Sequence, residues 1–140
     1  MKIVIIDGQG GKMGSAVVAQ LRASCPGISL VAIGTNSTAT ASMMKAGADF
    51  GATGENPVVV ACRDADIIIG PLGIVIADSL MGEITPAIAA SIGSSPAHRI
   101  LIPVNSHCRH TLVGCRELPL SGYIKLVCEQ VQRMLDTEQR

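Results

Sequence analysis

The sequence predicts an α/β fold of three layers: a doubly wound, mostly parallel sheet of five or six strands with helices on both faces. Three observations carry this expectation. Short β-branched runs alternate with stretches of helical spacing, the pattern of successive βαβ units. The runs at residues 3–6 and 67–69 are apolar without alternation, as strands covered on both faces require. Gly8, Gly11 and Gly14 stand directly between the first such run and the first helical pattern, where a strand must turn sharply into a helix.

The elements follow in order. Residues 3–6 form the first strand. Met13, Val17, Val18 and Leu21 recur at helical spacing, so a helix begins near Gly11 and ends before Pro26, because the residue preceding proline avoids the helical region. Residues 28–33 read as the second strand, and residues 38–46 as a helix of small residues stopped at Gly47. A short edge strand is expected at 49–52 and a short helix at 57–63. Residues 66–69 are the strand expected at the centre of the sheet, closing on Gly70-Pro71-Leu72-Gly73. Residues 74–81 are expected to be helical and broken by Gly82. Thr85 caps a further helix with Pro86 at its first position and Gly93 just past its end. Residues 99–103 give another strand and 111–114 an edge strand. Ile124, Val127, Val131 and Leu135 lay an apolar face on a closing helix.

Composition bounds the function. The 140 residues suit one domain, 1–140, that buries about two-thirds of its unfolded surface. Lys plus Arg and Asp plus Glu number 11 each, and no basic cluster is present, so neither a nucleic-acid partner nor an anionic membrane is expected. The longest apolar stretch, 67–77, is interrupted by Gly70, Pro71 and Gly73 and falls short of the roughly 20 residues that span a bilayer. Five cysteines, odd in number and scattered, without a leader before the first strand, suit a reducing cytoplasm. An apolar content of 48% is high for a chain of this size and points to surface buried between copies, hence a homodimer or higher homo-oligomer.

The glycine turn carries the main functional signal. Gly8, Gly11 and Gly14 are spaced G-x-x-G-x-x-G, with Gly10 in addition. Between a strand and a helix, such a turn lets backbone N–H groups approach a pyrophosphate and aims the positive end of the helix at it. A P-loop is excluded, since Ile6 stands where its first glycine belongs and Met13 where its hydroxyl belongs. Asp7 departs from the dinucleotide pattern: a carboxylate about 5 Å from a phosphate costs on the order of 1–3 kcal/mol at intermediate dielectric. Two readings of Asp7 stand open, acceptance of hydrogen bonds from the loop's own N–H groups or a magnesium ion held with a phosphate. After the second strand come Gly34-Thr35-Asn36-Ser37-Thr38, which can bond a ribose or a 2′-phosphate but supply no charge, so the choice between NAD and NADP is left undetermined. Asn36 and Ser37 serve equally well to turn the chain and cap the next helix.

The stretch GQGGKMG after KIVIID is similar to the cofactor loop of dihydrodipicolinate reductase and related NAD(P)-dependent enzymes, over the first strand and helix. Over nearly the whole chain, IDGQGGKMG, GTNSTATASMMKAGADFGATGEN, ADIIIGPLGI, GEITP and ILIPVN resemble a family of short bacterial conserved proteins of unassigned function. That second resemblance implies a cytoplasmic Rossmann-like domain standing alone and supplies no reaction.

Ligands of open parallel sheets bind outside the carboxyl ends of the strands. The expected binding residues are therefore Gly8, Gln9, Gly10, Gly11, Lys12, Met13 and Gly14, with Thr35 and Asn36, Gly70, Pro71 and Gly73, and Asn105; segments 53–56 and 104–106 belong to the same rim. Asn105, Ser106, His107, Cys108 and His110 are the densest polar set, and His107, Cys108, His110 and Cys115 are candidate zinc ligands, but the spacing matches neither an activated thiolate nor a zinc motif, so no metal site and no catalytic residue is assigned. Glu55 and Glu83 are further acids on the cleft side, each placed where negative charge favours the start of a helix. The expectation is a protein that binds a nucleotide, with NAD or NADP foremost, and that is either a minimal oxidoreductase or a non-catalytic sensor of a nucleotide or phosphorylated metabolite.

Overall fold

The computed structural model describes residues 1–103 and 109–140. Five strands form one parallel sheet in the order β3-β2-β1-β4-β5. They are β1 (Lys2–Asp7), β2 (Ser29–Gly34), β3 (Phe50–Thr53), β4 (Ile67–Pro71) and β5 (His98–Ile102). Helices α1 (Lys12–Ser24), α2 (Ser37–Ala46), α3 (Glu55–Ala61), α4 (Pro86–Gly93) and α5 (Leu120–Glu138) complete the three layers. The strand order reverses direction between β1 and β4, which opens a crevice at their carboxyl ends.

The unalternated strands are explained by burial on both faces. Ile3 and Ile5 of β1 with Ile67 and Ile69 of β4 face one core, closed by Val17, Val18 and Leu21 of α1, Met43 of α2 and Ile124, Val127 and Val131 of α5. Val4, Ile6 and Ile68 face the other, closed by Val58 of α3, Ile88 and Ile92 of α4, and Ile74 and Ile84. All four of Ile3 to Ile6 are fully buried, each worth roughly 1.5–3 kcal/mol relative to exposure. Among the described residues, no helix is long and apolar enough to cross a membrane.

Three expectations are corrected. The middle strand is β1, with β4 beside it rather than at the centre. Residues 74–81 are not a helix: a 3₁₀ turn at Leu72–Val75 is followed by turns in which Asp78, Leu80 and Met81 take φ of 63°, 53° and 55°. The apolar residues there do not build one buried helical face, since Ile74 is fully buried while Met81 is 94% exposed. Residues 111–114 are not a strand; Val113 is 98% exposed and Gly114 turns the chain at φ 78°, so β-branched composition without a surface to pack on leaves no strand.

Gly11, with φ 71°, stands at the cap just before α1. A Cβ on Gly11 would stand 2.7 Å from Ala39 Cα and 2.9 Å from Ala39 O, both backbone atoms of α2. The helix layer is thus seated on this glycine. At Gly10, by contrast, nothing lies within 4 Å of an added Cβ. Gly11→Val is expected to destabilise the protein by about 1–3 kcal/mol, through overpacking against backbone that cannot yield. Gly10→Ala should leave stability within about 0.5 kcal/mol of the parent, and urea denaturation of the two variants checks the contrast.

Candidate functional site

The site is built at the carboxyl end of β1. Asp7, the last residue of the strand, is 4% exposed. Its Oδ1 accepts from Gly8 N–H at 2.8 Å and its Oδ2 from Gly14 N–H at 2.7 Å. One carboxylate therefore holds both ends of the seven-residue turn. Gly14 closes the arrangement, because a Cβ there would lie 2.9 Å from Asp7 Cβ. Burial pushes the Asp7 carboxyl above its ordinary value, the bonds from Gly14 and Gly8 act against that, and the charge of Glu83 adds to it. Of the two roles open for Asp7, the geometry shows the inward hydrogen bonds.

Glu83 approaches the turn from the segment between β4 and α4. Both its oxygens lie 3.1 Å from Gln9 N, and Oε1 also accepts from Thr35 Oγ1 at 2.9 Å and Asn36 Nδ2 at 2.6 Å. Gln9 itself has φ 50°, a left-handed conformation costing roughly 1–2 kcal/mol for a non-glycine residue. Asn36 caps α2 by accepting from Ala39 N–H at 2.9 Å, and its Nδ2 donates to Gln9 O at 2.9 Å. Burial raises the Glu83 carboxyl, and hydrogen bonds from Asn36, Thr35 and Gln9 outweigh it, holding the group below its ordinary value.

The other side of the turn is open. A cleft of about 690 Å³ is lined by Asp7, Gly8, Gln9, Gly10, Gly11, Lys12 and Met13, by Pro71 and Gly73 after β4, by residues 78–81 and by Leu120 at the start of α5. Its volume is within the range of small-molecule sites. Gly11 N–H is used by Gly8 O at 2.9 Å, but among the described residues nothing accepts from the N–H groups of Gly10, Lys12 or Met13. Lys12 supplies the cationic side chain among the lining residues. A groove of about 740 Å³ between α1 and α5, lined by Gln20, Lys125 and Glu129 among others, is formed by helix surface rather than by strand ends.

The expected residues thus divide. Gly8 to Met13, Pro71 and Gly73 line one cleft. Gly14 does not; it braces Asp7. Thr35 and Asn36 face Glu83 instead. Gly70 lies in the sheet, where a Cβ would sit 2.5 Å from Ile6 O, so its role is close strand packing. Asn105 lies outside the described residues, as do His107 and Cys108. Glu55 accepts from Thr85 Oγ1 at 2.5 Å and joins the starts of α3 and α4. Among the described residues no three potential metal ligands cluster. The partners of Glu83 are what the sequence hid: Gln9, Asn36 and Thr35 lie 74, 47 and 48 positions away, and the signal for them is the sheet order, which brings the segment after β4 beside β1.

These two acids titrate with opposite effect. Glu83 has its folded value lowered, so its contribution is fully present above 4.5, the ordinary glutamate value, and is lost as pH falls through the lowered one. Asp7 has its folded value raised, so its ionisation diminishes stability as pH rises from 3.8 through the raised value. Glu83→Gln should therefore melt below the parent at neutral pH and converge on it in acid, as thermal melts of both proteins across that range will show.

None of the curated proteins compared with the chain matches it. Among solved structures, a dodecameric FMN-dependent UbiX-like decarboxylase from Escherichia coli O157:H7 is similar over 96% of this chain and 76% of that chain, with 19% sequence identity and a TM-score of 0.48. A family model matches residues 2–136, and with nearly the whole sequence covered the chain belongs to the DUF3842 family, a domain of unknown function.

Proposed function

We propose that the protein binds a nucleotide, or another phosphorylated metabolite of similar size, on the open side of the glycine turn. The observation that carries this reading is the set of unused N–H groups at Gly10, Lys12 and Met13, presented at the mouth of the cleft at the topological switch point. Helix α1 aims its positive end at the same place, and Lys12 adds a charge. NAD or NADP is the finer form of the reading, supported by the likeness of residues 8–14 to a reductase cofactor loop. The adenosine end of such a dinucleotide needs the ground at Thr35 and Asn36, which Glu83 occupies, so a dinucleotide in that pose requires Glu83 to move.

A non-catalytic sensor is the second reading, and the bonding of Asp7 favours it. The most buried acid at the cleft accepts from a backbone N–H group at each oxygen, which commits it to holding the turn. Self-association fits either reading: Phe50, on the edge strand β3, is 66% exposed.

A thermal-shift panel of NAD⁺, NADH, NADP⁺, NADPH, FMN, FAD, AMP and ATP tests the proposal. A ligand at 100 times its dissociation constant adds roughly 2.7 kcal/mol. At least one compound is expected to raise the melting temperature by several degrees, and Gly10→Val should diminish that rise without lowering the melting temperature of the free protein. Absence of a shift across the panel sinks the nucleotide reading.

A further inference from the structure

The closed side of the turn has the composition of an anion site with its occupant already in place. Gln9 N–H, Thr35 Oγ1 and Asn36 Nδ2 are three neutral donors from two different loops, and all converge on the Glu83 carboxylate at 2.6–3.1 Å. Gly8 permits the approach: a Cβ there would lie 2.7 Å from Thr35 Oγ1 and 3.4 Å from Glu83 Oε1. Such a donor set fits a phosphoryl oxygen pair as well as it fits a carboxylate.

The segment that delivers Glu83 is built as a separate unit. Asp78 N–H donates to Ile84 O at 2.7 Å and Ile84 N–H to Ser79 O at 3.2 Å, so the segment's ends are tied to each other. Gly82 N–H and Glu83 N–H donate back to Ser79 O and Leu80 O within it. Its foot is fixed by fully buried Ile74 and Ile84, and Ser79 Oγ donates to Gly73 O. Asp78, Leu80 and Met81 all hold left-handed φ, conformations that persist only when surrounding contacts over-determine them. The same residues, 78–81, wall the open cleft.

We infer that residues 78–84 form a lid latched by Glu83, and that a phosphoryl group of the ligand replaces the Glu83 carboxylate on Gln9, Thr35 and Asn36 when the lid opens. The inference rests on the preceding reading in taking the ligand to be a phosphate compound, but it concerns different amides. A closed latch reduces apparent affinity by the fraction of molecules that are open, so the wild-type protein binds more weakly than one whose latch is broken.

Titration with inorganic pyrophosphate and, separately, with AMP, followed by amide NMR of the wild type and Glu83→Gln, tests this. The Gln9 backbone and Asn36 side-chain amides should move in both proteins, at concentrations at least tenfold lower in the variant. In the wild type, the Glu83 carboxyl carbon should move in step with them, a readout that stands even if the variant fails to fold. Equal midpoints in the two proteins, an unmoved Gln9, or an unmoved Glu83 carboxyl at saturation overturns the latch. Movement of Gly10, Lys12 and Met13 without Gln9 preserves the binding site of the preceding reading and removes the lid; movement of Gln9 without those three does the reverse.

Discussion

The whole site depends on one carboxylate. Asp7 ends the central strand and binds the N–H groups at both ends of the glycine turn, which fixes where α1 begins relative to β1. An aspartate in this place is a poor neighbour for phosphate when it is bare, because its field is weakly screened near the bottom of a crevice. Bound as it is, the charge is partly satisfied by backbone dipoles, and burial raises its affinity for a proton. The acid that looked like an obstacle to anion binding is the strut that shapes the turn.

From that strut the two sides of the turn diverge. Toward β2 the chain closes on itself: Glu83, Thr35 and Asn36 complete a network in which Gln9 contributes both its N–H and its carbonyl. Toward β4 the helix start remains open. The asymmetry follows from sheet order, since β2 and β4 flank β1 and each sends a different loop over the turn. Packing fixes the rest, with Gly11 against the α2 backbone and Gly14 against Asp7 and Met43.

Architecture was legible in the sequence because its signals are local. The apolar runs marked β1, β2, β4 and β5, proline and glycine marked the ends of α1 and α2, and Thr85 with Pro86 announced α4, whose cap accepts from Ile88 N–H at 3.1 Å. Residues 74–81 misled because their apolar content suggested a helix, whereas tertiary contacts of Ile74 and Ile84 hold a tight loop with left-handed residues. Spacing singled out Gly8 to Met13, and these residues line the cleft. It also singled out Thr35 and Asn36 after β2 but could not show that an acid nearly fifty positions away holds them, because a side-chain network between loops has no periodicity to read.

The bonding of residues 78–84 has an evolutionary consequence. A segment whose ends are joined by their own backbone hydrogen bonds can change in length or composition between Ser79 and Gly82 without disturbing the strands that carry it. A change at this tip would keep the sheet while altering the wall of the cleft and the placement of Glu83, so variation there would retune the site rather than the scaffold.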